Sequence, residues 1–526
     1  MGGILKRRPI MPRMAMRREG FRPPPPGGIL ASEPKGAPTM AFRCDLILRD
    51  ATLVDGTGAP RRRGDVAVRS DRIAAIGDLS GLAADREVMA GGRVVAPGFI
   101  DAHSHDDQAV LCGPACMLCK TSQGVTTVVV GNCGISLSPV PMAERPPAPM
   151  DGICAPEWWI FDSFAAYVER LRASPSAVNT LALIGHMSLR IGAMGRDTGR
   201  PATDKEAERM RKQLAQALSE GAAGFSTGLF YPPSKAAPTE EVIAVAEALR
   251  EHRGLYVTHM RDEADQVLDS IEETLRIGRA VGAPVIISHH KCAQPENHGR
   301  SAESLALIER HAAGYPVAFD VYPYTASSTS LAARPPRADV PVTVTYSVPH
   351  PEMAGRALEG IAAEWGLDLA EAARRLAPGG GVFHNMAEAD VRRILAHPLS
   401  MVGSDGGPLA PHPHPRLWGT FPRVLGHYSR ELGLFDLETA VHKMTGRTAA
   451  IFGIPDRGVL REGAFADLVL FDAATVRDRA SFAEPRQVAE GILETWVNGQ
   501  SVYTQESGAS ETPAGRLLHR EAPETL

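Results

Sequence analysis

Short apolar runs alternate with helical patterns through most of this chain, and that rhythm leaves few folds open. T-T-V-V-V (Thr126 to Val130) reads as a strand, and Asp204 to Glu220 as a helix with Thr203 as its N-cap. Gly224 to Leu229 reads as a strand. Thr239 is the expected cap of the next helix, with Glu240 and Glu241 in its first turn and Gly254 ending it. L-Y-V-T-H, P-V-I-I-S-H, V-A-F-D-V-Y and S-M-V-G-S-D follow as strands. Helices are expected through Arg279, from Ser301 to Ala312 and from Ala389 to Ala396. Alternation of this length, repeated eight or so times, predicts an α/β protein with a (β/α)8 TIM-like barrel. The chain between Tyr324 and Met401 is longer than one helix needs, so a lid insertion is expected at about residues 325–386.

The flanks differ. D-L-I-L-R-D-A-T-L-V-D and D-V-A-V-R-S-D-R-I-A-A-I-G are β-rich runs punctuated by turns, and similar runs return near the C-terminus with an N-G turn at Asn498-Gly499. They predict a small composite β-sandwich domain from residues 41–95 and 456–505, around a barrel at 96–455. Residues 1–40, rich in Arg, Pro and Gly, read as a disordered extension without a secretory h-region, with Met40 as an alternative start. Residues 506–526 read as a flexible tail. The net charge of -5 leaves no electrostatic footprint for nucleic acid. No run approaches the roughly 20 apolar residues of a membrane span. Seven cysteines in so long a chain make no disulfide framework and suit a reducing, cytoplasmic compartment. Cys112, Cys116 and Cys119 have the spacing of an iron–sulfur motif and equally of one helix face. Their position, where a barrel helix is expected, favours the helix. Oligomeric state is left open.

In a barrel, chemistry sits where strands end at the C-terminal face. The apolar run V-V-A-P-G-F-I-D leads into His103 and His105, which alternation turns to the same side. Two imidazoles can share a metal ion but cannot complete a tetrahedral site. Other strand ends supply more ligand types: Cys133 after T-T-V-V-V, His259 after L-Y-V-T, His289 and His290 after V-I-I-S, and Asp405 after M-V-G-S. This set can build a mononuclear or binuclear zinc site. Zinc lowers the pKa of bound water to about 7, and a carboxylate at the mouth, Asp405, can take the water proton and pass it to a leaving amine. That is machinery for hydrolysing an amide. His186, after L-A-L-I-G, is expected beside the ligands rather than among them.

The motifs G-F-I-D-A-H-S-H-D-D, G-V-T-T-V-V-V-G-N-C-G-I-S, G-F-S-T-G-L-F-Y-P-P, Y-V-T-H-M-R-D-E, I-S-H-H-K-C, D-V-Y-P-Y, G-S-D-G and H-P-R-L-W-G-T-F-P-R-V-L-G run from about Cys44 to Tyr503. They resemble the amidohydrolase superfamily and, within it, the N-acyl-D-amino-acid deacylases (D-aminoacylases). H-x-H marks only the superfamily; G-N-C-G together with S-H-H-K-C is more specific to the deacylase branch. The resemblance implies a tight zinc held by Cys133, His259 and His289. It implies a weaker second site at His103, His105 and Asp405, with Cys133 bridging where many relatives use a carboxylated lysine. His289 is preferred to His290 because it directly follows the strand and the family's first histidine is the ligand.

The resemblance also maps a grip on the substrate carboxylate to Lys291, Tyr322 and Ser328, and a cation with two hydroxyls suits that task. Arg416 either meets an anion or anchors its loop. Arg334 and Arg337, in the lid, are expected to face solvent. The expected activity is zinc-dependent hydrolysis of N-acyl-D-amino acids by a metal-activated hydroxide, with an Asp405 proton shuttle and a small-molecule substrate as the partner. A cyclic-amide hydrolase of the hydantoinase kind and a non-catalytic barrel scaffold are the alternatives. Cys133 in place of a bridging lysine weighs against the first, and the full ligand set against the second.

Overall fold

Eight parallel strands form a ring: Phe99–Asp101 (β1), Val125–Val130 (β2), Asn179–Gly185 (β3), Gly224–Gly228 (β4), Leu255–His259 (β5), Val285–Ile287 (β6), Val317–Val321 (β7) and Ser400–Val402 (β8). The computed structural model describes residues 43–522, so the extension expected at 1–40 lies outside the described residues. Each strand pairs with its successor in the chain. The ring closes where Ala102 N–H donates to Val402 O at 3.2 Å and His105 N–H to Gly406 O at 3.0 Å. Every residue of the eight strands is buried. Burial on both faces is why they read as continuous β-branched and apolar runs rather than alternating ones. Inside, Ile100, Val129, Leu181, Val257, Ile286 and Met401 pack into a filled core. At the entry to β1, a Cβ on Gly98 would lie 2.1 Å from Thr126 Cγ2, so only glycine lets the first strand reach its neighbour.

Helices cover the ring. Helix Asp204–Ser219 starts in a capping box: Thr203 Oγ1 accepts from Glu206 N–H, and the Glu206 carboxylate accepts from Thr203 N–H at 2.7 Å. It buries Ala207, Met210, Leu214 and Leu218 on one face. The next helix departs from expectation. Pro238 holds the N-cap position and Thr239 is the first helical residue, its hydroxyl donating to Glu273 Oε1 at 2.8 Å instead of capping. Proline's fixed φ favours the turn into the helix, which removes the need for a side-chain cap. Cys112, Cys116 and Cys119 do not share a helix face. Gly113, at φ 98°, breaks the helical path between short turns, so Cys112 and Cys116 are exposed while Cys119 points inward.

The two β-rich flanks meet in one continuous nine-stranded sheet. The junction is Val94–Pro97, paired antiparallel with Leu468–Phe471. Leu46, Leu48, Val66, Val68, Leu468, Leu470 and Trp496, from both ends of the chain, share its core. Asn498 and Gly499 both have positive φ, as the tight hairpin between Ile492–Val497 and Gln500–Thr504 requires. Between β7 and β8 the strands Ser327–Ser330, Val342–Ser347 and Gly379–Phe383 form a small antiparallel sheet. Helices Leu358–Trp365 and Leu369–Leu376 pack on it around Val342, Leu358, Ile361 and Phe383. No helix among the described residues is long and apolar enough to cross a membrane.

The expected flexible tail is corrected as far as Ala522. Gly508–Ala509 extends the nine-stranded sheet. Beyond it the backbone bonds to β3: Thr180 N–H donates to Arg516 O and Leu518 N–H to Thr180 O. Leu518 joins the barrel-interior core. The segment lacks the apolar periodicity that marks an element, because only Ala514, Gly515 and Leu518 are buried. Truncation after Gln505 is therefore expected to lower the melting temperature. Leu518→Ala alone should cost about 2 kcal/mol in denaturant unfolding, whereas a free tail would leave both unchanged.

Candidate active site

The strand ends bring the ligand-type residues together at one mouth of the barrel. His103 and His105 follow β1, Cys133 follows β2, His259 ends β5, His289 follows β6 and Asp405 follows β8. The Cys133 thiol is central. Its Sγ lies 3.4 Å from His103 Nε2, 3.7 Å from His259 Nδ1 and 3.4 Å from His289 Nε2. Asp405 Oδ1 lies 3.2 Å from His105 Nε2 and 3.5 Å from His103 Nε2. All six residues are buried and form two groups that share Cys133: His103, His105, Cys133 and Asp405, and Cys133, His259 and His289. His290 points the other way. Its Nε2 lies 2.9 Å from Ser304 Oγ under helix Ser301–Ala312, and burial pushes its pKa down to about 3.

The groups fit a cation. In a tetrahedral zinc site with bonds of about 2.3 Å to sulfur and 2.0–2.1 Å to nitrogen, sulfur and nitrogen stand about 3.6 Å apart; here those separations are 3.4–3.7 Å. The electrostatics agree. Burial alone would raise the Cys133 pKa, but His103 and His289 outweigh it and hold the thiol well below its usual range. Burial would lower the His103 pKa, and Asp320 and Cys133 drive it well above. Anionic and neutral donors packed this closely are the composition of a divalent-metal site.

A second ring of acids orients the histidines. Glu263 Oε1 lies 3.0 Å from His289 Nδ1 and Glu263 Oε2 lies 3.5 Å from His259 Nε2. Asp320 Oδ1 accepts from His289 N–H at 2.9 Å, and Oδ2 lies 3.4 Å from His103 Nδ1. Gly403 leaves no room for change here: its Cβ would lie 2.6 Å from His103 Cβ and 2.8 Å from Asp320 Oδ1. Beneath, fully buried Lys120 donates to Asp101 Oδ2 and Ser404 Oγ, each at 2.8 Å, and lies 3.2 Å from Asp106 Oδ2. Sequence reasoning singled out none of Glu263, Asp320 and Lys120. Two carried a signal: Glu263 stands four residues after His259, and Asp320 is an acid inside a wholly buried strand.

An open cleft lies over the groups, lined in part by His105, Cys133, Asp405, Tyr231, Ser328 and Arg416. Of the four expected substrate contacts, Ser328 and Arg416 line it, and Lys291 and Tyr322 are buried. Lys291 Nζ donates to Glu263 Oε1 at 2.5 Å, and the Tyr322 hydroxyl donates to Met386 Sδ. Arg416 Nη1 lies 2.8 Å from Asp405 Oδ2, with its guanidinium 4.5 Å above the Tyr322 ring. Burial would raise the Asp405 pKa, but Arg416 and His289 hold it well below the carboxylate range. Tyr231 packs edge-on against His259. His186 faces Glu241 and Phe225 instead of the ligands.

Arg334 is a correction. It does not face solvent but is buried, its guanidinium 5.3 Å over Phe230 and 6.0 Å from Phe383, with Nε unpartnered. It sits in the turn that follows lid strand Ser327–Ser330. Arg337 is exposed and pairs with Asp339 and Glu296.

A parallel barrel with histidine, cysteine and aspartate ligands at its strand ends is the arrangement of a metal-dependent hydrolase. The sequence profile of the amidohydrolase family matches residues 86–335 and 339–503, and the chain belongs to that family. It is similar to the D-aminoacylase of Alcaligenes xylosoxydans xylosoxydans, at 51% identity over 91% of this chain and 98% of that protein. It is also similar to the N-acyl-D-aspartate deacylase of the same organism, at 49% identity over 92% of this chain and 96% of that protein. Among solved structures it resembles the N-acyl-D-glutamate deacylase of Bordetella bronchiseptica, complexed with zinc and a phosphonate mimic of the tetrahedral intermediate. That match has a TM-score of 0.86 at 46% identity and covers 91% of this chain and all of that one.

The ring of acids gives a stability prediction. Lys120→Met strands Asp101 and Asp106 without a counter-charge and is expected to cost about 3–5 kcal/mol in denaturant unfolding.

Proposed function

We propose that this protein hydrolyses N-acyl-D-amino acids to a carboxylate and the free D-amino acid. The observation that carries this reading is the Cys133 thiol, held within 3.7 Å of three imidazole nitrogens where two ligand groups overlap. The likeness to enzymes named for deacylation of D-amino acids, over more than nine-tenths of the chain, supports both the reaction and the hand of the substrate. Cys133, His259 and His289 would hold a zinc ion tightly and His103, His105 and Asp405 a second one more weakly, and zinc there would supply a water-derived nucleophile at neutral pH and Lewis-acid stabilisation of the carbonyl oxygen.

The chain's own residues do the rest. Asp405 takes the proton of the attacking water and returns it to the leaving amine. Arg416 and Ser328, lining the cleft, hold the substrate α-carboxylate and fix the amide over the ligand groups. Lys291 and Tyr322 act one layer down, Lys291 by bracing Glu263 and Tyr322 by stacking under Arg416. Glu263 in turn keeps His259 and His289 oriented. Arg334, a buried cation without a carboxylate partner beside the lid strands, favours an acidic D side chain, since a buried charge calls for a counter-ion.

Free-amine release from zinc-loaded protein tests the reading, with N-acetyl-D- and N-acetyl-L- forms of Leu, Met, Phe, Glu and Asp side by side and hydantoins in parallel. Turnover of D forms alone, led by Glu or Asp, is expected; ring opening of hydantoins without amide cleavage would overturn it. Cys133→Ala should lose the tight zinc by metal analysis. Asp405→Ala should fold, keep that zinc and lose at least about 100-fold in kcat. Arg334→Met should lower kcat/KM for acidic side chains about 10- to 100-fold more than for D-Leu.

A further inference from the structure

We propose that His414 is a positioning residue that fixes Arg416 and Ser328 at a set spacing, so that the two close on one carboxylate. This rests on the deacylase reading of the same cleft, in which Arg416 and Ser328 hold the substrate α-carboxylate. His414 stands in the run Pro411-His412-Pro413-His414-Pro415, whose alternate prolines have no N–H to donate. Pro415 is the N-cap of helix Arg416–Arg423, and its ring cannot accept the N–H of Arg416 that opens the helix. His414 supplies the acceptor instead: Arg416 N–H donates to its Nδ1 at 3.0 Å. With Nδ1 accepting, the ring proton is on Nε2, and Nε2–H donates to Ala326 O at 3.0 Å. Ala326 leads directly into lid strand Ser327–Ser330, which carries Ser328. One rigid ring therefore joins the helix that carries Arg416 to the strand that carries Ser328.

The ring is held for this task alone. It is buried, with Tyr324 and Phe482 edge-on to it at 5.2 Å between centroids. Burial first, and the charge of Arg416 second, hold its pKa well below the ordinary value, so the ring stays neutral and keeps its acceptor. Both ring nitrogens are bonded, which leaves none for substrate. Arg416, by contrast, has a buried Nε with no hydrogen-bond partner among the described residues, a donor left for an incoming carboxylate. His412 ties the same run to the lid a second time: its N–H donates to Thr345 O, in strand Val342–Ser347, at 3.2 Å.

Two variants each keep half of the bridge. The glutamine amide reaches where Nε2 does and the asparagine amide where Nδ1 does, so His414→Gln retains the bond to Ala326 and His414→Asn the bond to Arg416. Calorimetry on the zinc-loaded proteins measures affinity for D-methionine, the free product, and for D-methioninamide, which lacks the carboxylate. KM and kcat are measured with N-acetyl-D-methionine. Each variant is expected to weaken D-methionine binding and raise KM by about tenfold, with kcat, zinc content and D-methioninamide affinity unchanged. His414→Ala, which removes both bonds, should do no more than either, because a bridge broken at one end is already open. A wild-type KM in either half-variant would overturn the bridge. So would an equal loss of affinity for the two ligands, or a fall in kcat or melting temperature with KM unmoved. Failure of the wild type to release amine from any N-acyl-D-amino acid would overturn the deacylase reading instead, and the D-methionine calorimetry would still decide the bridge.

Discussion

The ammonium of Lys120 sits where water does not reach, and the barrel is registered around it. It bonds Asp101 at the end of the first strand and Ser404 in the loop after the last. Asp101 Oδ1 in turn accepts from the backbone N–H groups of His103 and Ser404. One carboxylate thus fixes the start of the H-x-H segment and the approach to Asp405 on opposite sides of the closing seam. Burial alone would lower the Lys120 pKa, but Asp101 and Asp106 raise it, so the charge persists. A buried pair of this kind adds little net stability compared with an apolar replacement, yet it tolerates only one register. Here register is what matters, since a shift of one residue at the seam would turn His103 and His105 away from the cleft.

From that seam the ligand groups are built at conformational cost. Cys133, His289 and Asp405 all adopt left-handed backbone, with φ of 53°, 36° and 49°. Each conformation costs about 1–2 kcal/mol for a residue with a Cβ. Glycine would avoid that cost but carries no ligand atom. Each of the three lies just past a strand end, where an extended continuation would carry the side chain along the barrel wall. The left-handed turn instead directs it over the axis toward its partners. The backbone bonds Asp405 N–H to His103 O and His290 N–H to Asp320 O hold two of these turns in place.

Much of this was readable from the chain. The eight strands announced themselves because burial on both faces demands continuous apolar runs, and the six ligand-type residues because barrel chemistry is confined to strand ends. Alternation sets His289 and His290 on opposite sides, and the preference for His289 comes from its place directly after the strand and from the family resemblance; the structure turns His289 to Cys133 and His290 to Ser304. What escaped had weak local signals. Lys120 resembles any helix-surface lysine until its partners, nearly 20 and more than 280 residues away, are known. Arg334 looked solvated because its neighbours in sequence, Ala332, Pro335 and Arg337, give no sign of the aromatic faces of Phe230 and Phe383. Lys291 and Tyr322 are expected at the substrate, and no local signal in the sequence pairs them with their partners Glu263 and Arg416. Depth along the barrel axis has no periodicity in sequence. The docked C-terminal segment was missed for a related reason: it bonds through backbone atoms, which every residue has.

The composite sheet also sets a schedule. Val94–Pro97 leaves the ribosome early, yet its antiparallel partner Leu468–Phe471 follows about 370 residues later. At about 5–20 residues per second the first half waits roughly twenty to seventy seconds for the second. During that interval the edge of Val94–Pro97 that will pair is bare, the condition under which strands recruit neighbours. It is short, four residues, and ends in proline, which cannot extend the ladder. The nascent chain is thus guarded by the brevity of the strand that its last-made segment will cover.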